Sequence, residues 1–214
     1  VAAAVKKTIP EIKCFIDDLI DCLYNGGRFF YVGSGTSGRL GVLDAVECPP
    51  TFSTKPEMIE GIIAGGYDAL VRSIEGAEDS WSDGAKAISK KSITKKDVVM
   101  GISASNSTPF VMGALEKAKK EKALTGLLIC NKSPDLPYVD HILTVIVGPE
   151  VITGSTRMKS GTATKMVLNM ITTTAMIKLN KTFGNLMIDL KASNKKLWDR
   201  GTRIVSHLTD LNYD

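Results

Sequence analysis

Short apolar runs alternate with longer amphipathic stretches along this chain. The runs have the length of strands, and glycines flank several of them, which is typical of strands buried in a sheet. Between the runs, apolar residues recur at helical spacing. Buried strands separated by helices indicate a parallel sheet covered on both faces. The pattern therefore predicts a three-layer α/β fold with five strands, at about 28–33, 58–64, 97–103, 124–130 and 142–147.

The predicted helices have sequence signals at their ends. Thr8 to Glu11 has the spacing of a capping box, and the helix that begins there should end at Asn25-Gly26-Gly27. A second helix should run from about Ser37 to Val46, because Pro49-Pro50 should block its continuation. We predict the remaining helices at 67–74, at 78–90, from Thr108-Pro109 onwards, from Ser155 to about Leu179, and from about Asn185 to Leu208.

No internal repeat or low-complexity linker divides the sequence. With 214 residues, 43% hydrophobic and 23% charged, the chain can bury a core without disulfides or a metal. We expect a single domain over 1–214, with an N-terminal helix at 1–27, a core at 28–180 and a C-terminal helical region at 181–214.

Composition also argues against several classes of function. The net charge of +4 comes without a concentrated basic face carrying stacking aromatics, so nucleic acid is not an expected partner. The two histidines lack metal-ligand spacing, and the four cysteines form no CxxC pair, which favours reduced thiols in a cytoplasmic protein. No apolar run reaches the length of a membrane span. We expect no metal and no membrane partner.

Three loops that follow predicted strands are rich in hydroxyl groups or glycine. Ligands of parallel α/β sheets bind beyond the carboxyl ends of the strands, where helix N-termini favour anions. Gly33, Gly35 and Gly38 fit a dinucleotide fingerprint, but the many hydroxyl groups favour a sugar phosphate over NAD. The candidate substrate or phosphate ligands are Ser34, Gly35, Thr36, Ser37 and Arg39 in the first loop, Ser103, Ser105, Ser107 and Thr108 in the second, and Glu150 and Ser155 in the third.

Two carboxylates near these loops are candidates for proton transfer. Glu47 lies at the predicted end of a helix, beside Cys48-Pro49-Pro50. The helix dipole and partial loss of water there favour the protonated form that a general acid needs. Glu78 is the second candidate, and Asp44 is close enough in sequence to orient Glu47. The alternatives are an exposed surface position for Glu47 and an acidic first helical turn for Glu78. We interpret Cys48 as a packing residue.

Several ordered motifs together resemble the N-acetylmuramic acid 6-phosphate etherase family, whose members contain a sugar isomerase (SIS) domain. The resemblance extends from about residue 28 to residue 198, which makes it far more specific than a glycine pattern alone. The motifs that carry it are residues 33–44, 47–51, 63–66, 75–79, 148–159 and 183–187.

This resemblance implies a five-stranded flavodoxin-like SIS fold, usually dimeric, with the site at or near the subunit interface. It implies cleavage of the lactyl ether of N-acetylmuramic acid 6-phosphate to N-acetylglucosamine 6-phosphate and D-lactate, in cell-wall sugar recycling, without a cofactor. The roles that it carries over are an acid at Glu47 and a second acid or base at Glu78. The sequence does not decide which carboxylate takes the proton from carbon 2 of the sugar.

The chain departs from the family pattern at two places. Asn106-Ser107 stands where the family usually has Gly-Arg, which affects how the sugar or the lactate carboxylate is held. Val46 stands where the family often has Ser. The altered second loop favours an alternative function, a non-catalytic regulatory protein that senses sugar phosphates and is related to glucokinase regulatory protein. The carboxylate at Glu47 favours the enzyme.

Overall fold

A computed structural model describes residues 1–105, 108–132, 135–190, 192, 194–209 and 211–213. It contains a five-stranded sheet in the order β2-β1-β3-β4-β5, and every neighbouring pair of strands is parallel. This arrangement confirms the predicted flavodoxin-like α/β fold. The strands are β1 (Phe29–Gly33), β2 (Ile59–Ile63), β3 (Val98–Ile102), β4 (Leu124–Ile129) and β5 (His141–Thr144).

Helices connect the strands and cover both faces of the sheet. They are α1 (Ala2–Lys7), α2 (Ile9–Tyr24), α3 (Gly35–Phe52), α4 (Asp68–Val71), α5 (Trp81–Lys90), α6 (Pro109–Lys120), α7 (Lys159–Lys178) and α8 (Lys195–Thr209). One apolar core lies between the sheet and α1, α2, α3 and α7, and a second lies between the other face and α5 and α6. Both faces of the central strands are therefore buried, as their continuous apolar sequence predicted.

The predicted capping box is absent, and several predicted helix ends were wrong. Thr8 lies at the N-cap of α2, but its hydroxyl donates to the carbonyl of Thr144 at 2.8 Å and caps nothing. Helix α3 continues through both prolines to Phe52. Helix α7 begins at Lys159 and α8 at Lys195, later than predicted. The reasons for the differences in α3 and α7 lie in tertiary contacts described below.

Candidate functional site

The strand register brings the first two hydroxyl-rich loops to one edge of the sheet. Gly33, the last residue of β1, pairs with Ile63 on one side and Ile102 on the other. The residues that follow these strands, among them Ser34 and Ser103, therefore emerge side by side. Strands β1 and β3, neighbours in this strand order, form the switch point at which doubly wound sheets bind ligands.

The first loop connects β1 directly to α3. Gly35 has a φ of +49°, a backbone conformation that residues with a side chain seldom adopt, so glycine is favoured at this turn. Ser34 is the N-cap residue of α3, but its hydroxyl donates to the carboxylate of Glu78 at 2.8 Å instead of capping the helix. The first turn of α3, which includes half-buried Thr36 and Ser37, thus keeps N–H groups without a side-chain cap. Such a helix end can hold an anion.

The second loop is tied by hydroxyl groups at its two ends. The hydroxyls of Ser103 and Thr108 lie 2.9 Å apart, and Ser103 is buried. Because Thr108 is bonded in this way, its side chain does not cap α6. Ser105 is exposed, and the predicted ligand Ser107 and its neighbour Asn106 lie outside the described residues.

The third loop is closed by one of its own residues. The Glu150 carboxylate accepts hydrogen bonds of 2.9 Å from the backbone amides of Lys159 and Ser160, at the N-terminus of α7. These amides of Ser160 and Lys159 lower the pKa of Glu150. The N-terminus of α7 is thus already occupied by an anion, which would repel a phosphate there. This cap also explains why α7 begins at Lys159, beyond half-buried Ser155.

Backbone contacts connect the loops to one another. Glu78 accepts a hydrogen bond at its carbonyl from the amide of Phe110 in α6. The amide of Cys130, after β4, donates to the carbonyl of Ala104 in the second loop. A methyl group built on Gly161, in the first turn of α7, would meet the Thr36 methyl carbon at 3.5 Å. The structure therefore brings the three predicted loops together at one edge.

A polar cavity of about 140 Å³ lies between the first loop and the segment that carries Glu78. Arg39 lines it, but its guanidinium donates to the carbonyls of Leu70 at 3.2 Å and Arg72 at 2.8 Å. Arg39 thus binds the backbone of that segment, a contact that its prediction as a phosphate ligand did not include. Sequence reasoning missed Ser73, Ile74 and Glu75, which also line the cavity; their proximity in sequence to Glu78 was the available signal.

Glu47 lies far from this cavity. It is in the last third of α3, twelve positions after Gly35, so the helical rise separates it from the first loop by roughly 18 Å. In the single chain the side chain of Glu47 is exposed. This contradicts the expectation that Glu47 is partly dehydrated. Leu43, 49% exposed, lies one turn earlier on the same face of α3, and the adjacent Val46 is 57% exposed. One chain does not bring Glu47 and Glu78 together.

Asp44 turns into the protein instead of towards Glu47. Its carboxylate accepts hydrogen bonds from Tyr31 at 2.9 Å, Asn169 at 2.6 Å and Thr172 at 3.3 Å. Direct orientation of Glu47 by the Asp44 side chain, one of our sequence hypotheses, is therefore wrong. Sequence reasoning also missed Tyr31 and Asn169, whose polar ends meet Asp44 only after the chain folds.

The four cysteines form no disulfide, and the surroundings of Cys48 disfavour its reactive thiolate form. All four are free thiols, and Cys48 is buried. Burial, with smaller contributions from Asp44 and Glu47, raises the pKa of Cys48 to about 12, which keeps it a thiol at neutral pH. This agrees with a packing role.

The described parts of the chain contain neither a metal-binding cluster nor a membrane-spanning helix. Metal-ligating side chains nowhere gather there in a group of three or more. None of the described helices combines the length and the apolar character that a membrane span requires.

Comparison with known proteins identifies close sequence relatives. The family model of the glucokinase regulatory protein N-terminal SIS domain matches residues 11–119. The chain is 56% identical over 212 residues to the N-acetylmuramic acid 6-phosphate etherase of Clostridium acetobutylicum, covering 99% of this chain and 70% of that protein. It is 49% identical over 215 residues to the enzyme of the same name from Bacillus subtilis, covering 100% of this chain and 71% of the relative.

Solved structures share the fold at much lower identity. The structure of a putative sugar-phosphate isomerase from Listeria monocytogenes superposes with a TM-score of 0.57 at 15% identity, over 80% of this chain and 78% of that one. Phosphoheptose isomerase GmhA from Neisseria gonorrhoeae gives 0.58 at 13% identity, over 81% and 89%. At these identities the likeness establishes the fold alone.

Proposed function

Because the chain belongs to the N-acetylmuramic acid 6-phosphate etherase family, we propose that it cleaves the D-lactyl ether of N-acetylmuramic acid 6-phosphate. The products are N-acetylglucosamine 6-phosphate and D-lactate, and the protein is a carbon–oxygen lyase. The observation that carries this proposal is the 56% identity to a named etherase over 99% of the chain. The carboxylate at Glu47 favours the enzyme over the sugar-phosphate sensor.

The reaction needs one base and one acid. In the open-chain sugar, the aldehyde acidifies the proton on carbon 2, and the base removes it. The electron pair forms a double bond between carbons 2 and 3 as the bond from carbon 3 to the lactyl oxygen breaks, and the acid protonates that oxygen. Water then adds its hydroxide to carbon 3 and a proton to carbon 2. Each positioned acid or base supplies ~100- to 10,000-fold in rate.

The phosphate site of this proposal is the switch point between β1 and β3. Ser34, Thr36 and Ser37 and the uncapped N–H groups of α3 surround one side of it, and Ser103, Ser105 and Thr108 lie on the other. A phosphomonoester has three terminal oxygens that accept hydrogen bonds from such groups. Binding it there holds the open-chain sugar in a fixed register beside Glu78.

Glu78 is the base in this proposal. Its Oε2 accepts the hydroxyl of Ser34, which fixes the carboxylate beside the phosphate loop. A carboxylate has about four acceptor positions, so it can accept a proton from carbon 2 while keeping this hydrogen bond. The amide of Phe110 holds the backbone of Glu78 from the other side. Both contacts fix the base relative to the sheet.

Glu47 is the acid, and a second copy of the chain supplies it. The family resemblance implies a homodimer, and two features of α3 support one. Glu47 is roughly 18 Å from the first loop of its own chain along the helix axis, and exposed Leu43 and Val46 surround it with apolar surface. Pairing of this face in a twofold dimer would cover the apolar surface.

The direct test is the release of D-lactate from N-acetylmuramic acid 6-phosphate, coupled to a lactate dehydrogenase, for the wild-type chain and for Glu47→Gln and Glu78→Gln. We expect both variants to fold and to bind inorganic phosphate, and to release lactate at least ~100-fold more slowly. The matched control is Glu57→Gln, because Glu57 is exposed and precedes β2 at the opposite edge of the sheet. It should retain full activity.

Two results would contradict the proposal. Phosphosugar binding by the wild-type chain without any lactate release would favour the regulatory sensor. Near-normal turnover in Glu47→Gln would remove Glu47 from the mechanism while leaving the reaction itself in place.

A further inference from the structure

A buried carboxylate links the helix of Glu47 to the rest of the protein. Asp44 is only 5% exposed. Its Oδ2 accepts the hydroxyl of Tyr31 from β1, and its Oδ1 accepts Asn169 Nδ2 and the hydroxyl of Thr172 from α7. Three separate elements, α3, β1 and α7, therefore meet at one side chain.

Close packing brings these groups within reach. Gly41 lies one turn before Asp44, and a methyl group built on it would approach Tyr31 Cβ to 2.8 Å. The glycine therefore lets α3 lie directly against β1, so that the tyrosine ring passes beneath the helix and its hydroxyl reaches the carboxylate. Burial raises the pKa of Asp44, and the hydrogen bonds from Asn169, Tyr31 and Thr172 oppose this effect. The donors compensate for the lost hydration of the carboxylate.

The backbone of α3 is weak where Glu47 lies. Pro49 and Pro50 are inside the helix and have no N–H group, so they cannot donate to the carbonyls of Ala45 and Val46, four residues earlier. Glu47 is between these carbonyls and the prolines, on a turn whose hydrogen-bond ladder is incomplete. Backbone bonds alone hold this turn less firmly than an ordinary helical turn, so side-chain anchors matter more here.

We propose that Asp44 is a positioning residue for Glu47, acting through α3: its bonds to Tyr31, Asn169 and Thr172 set the rotation and axial position of the helix, and thereby the direction of the acid three residues further along it. This inference rests on the proposed role of Glu47 as the acid. Asp44 and Glu47 are three residues apart, so a rotation of the helix that moves one moves the other. Asp44 itself touches no reacting group.

The test separates proton removal from ether cleavage. In deuterated water, exchange at carbon 2 of unreacted substrate reports the base, and lactate release reports base and acid together. In Asp44→Asn, an amide replaces one acceptor oxygen with a donor, which opposes the donors from Tyr31 or Asn169. We expect lactate release to fall by on the order of 10- to 100-fold relative to exchange, because small displacements of a catalytic group have effects of this size.

Two further variants keep the test decisive. Tyr31→Phe removes one donor and preserves the ring, so it should shift the same ratio in the same direction by a smaller factor. Asp97→Asn is the matched control. Asp97 is also buried and hydrogen-bonded, to Arg28 and Thr94, but it lies before β3, at the edge of the sheet opposite to the three loops. A loss of folded protein lowers exchange and lactate release together, so Asp97→Asn should leave their ratio unchanged.

The outcomes separate this inference from the proposed function. If Glu47→Gln lowers lactate release but leaves exchange intact, and Asp44→Asn and Tyr31→Phe lower both equally, the positioning role is wrong and the acid stands. If Glu47→Gln leaves the ratio of lactate release to exchange unchanged, Glu47 is not the acid. The proposed role of Glu47 is then wrong, whatever the Asp44 variants show. A lowered ratio of lactate release to exchange in all three variants, and not in Asp97→Asn, supports the positioning role.

Discussion

The hydroxyl of Ser34 donates a 2.8 Å hydrogen bond to the carboxylate of Glu78, although the two residues are 44 positions apart. Ser34 is at the N-cap of α3, where a serine ordinarily bonds a backbone amide of the first helical turn. Here the Ser34 hydroxyl donates to the carboxylate of Glu78 instead. The contact leaves the start of α3 available to an anion and fixes a candidate base next to it.

Ser34→Ala should therefore affect activity more than stability. We expect lactate release to fall roughly 10-fold, because Glu78 loses its fixed partner. The free energy of unfolding should change by less than about 0.5 kcal/mol, since no cap is lost. Ser80 is the control: its hydroxyl accepts the amide of Asp83 as a true N-cap of α5, so Ser80→Ala should cost about 1 kcal/mol in urea titrations. Equal losses of stability would refute this assignment of the Ser34 hydroxyl.

Mixing the two inactive variants should restore activity. If each site uses Glu47 of one chain and Glu78 of the other, a mixed dimer of Glu47→Gln and Glu78→Gln has one intact site. Random pairing makes about half of the dimers mixed, so about a quarter of wild-type lactate release should return after the chains are refolded together. Light scattering would establish the dimer independently. Absence of recovery in verified mixed dimers would place both carboxylates on the same chain.

The cap at Glu150 makes part of the stability dependent on pH. Its pKa is lowered from the ordinary value of 4.5 by the Ser160 and Lys159 amides. A lowered folded-state pKa means that the stabilisation is present above the unfolded value and is lost as the pH falls through the folded value. The difference in unfolding free energy between wild type and Glu150→Gln should thus shrink from about pH 6 towards about pH 3. A constant difference for Glu150→Gln across this pH range would exclude an ionic cap.

Arg39 should control the mobility of the Glu78 segment. Its guanidinium bonds two carbonyls through two separate nitrogens, whereas a lysine has all its donors on one nitrogen. Arg39→Lys should accelerate amide hydrogen exchange at 68–78 and lower the rate of lactate release, with inorganic phosphate binding preserved. Arg203→Lys, on exposed α8, is the control. Lost phosphate binding with unchanged exchange would restore the sequence prediction that Arg39 is a phosphate ligand.

The sheet could be predicted from sequence because its signal is local. Each strand is a short apolar run, and β1 (Phe29–Gly33) is buried along its whole length, while the connections between runs have helical periodicity. The loops at the carboxyl edge then follow from the parallel topology alone. This reasoning predicted that the loops of Ser34 and Ser103 lie near one another, as the pairing of Gly33 with Ile102 requires.

The errors arose where distant contacts override local preference. A proline in a helix interior is unfavourable by about 3 kcal/mol or more, yet α3 continues through two of them because Cys48 and Phe52, one turn apart, are both buried against the core. The position of Glu47 depends on that continuation. The Asp44 network joins residues 125 and 128 positions apart, and no local pattern indicates such a contact.

Glu47 and Glu78 lie towards opposite ends of α3, and no rotation of their side chains can close that separation. In the proposed dimer, each site combines Glu47 of one subunit with Glu78 of the other, so an isolated subunit has no complete site. Specific activity should then depend on how concentrated the protein is, and dilution below the dissociation constant of the subunits would switch off turnover without unfolding either one.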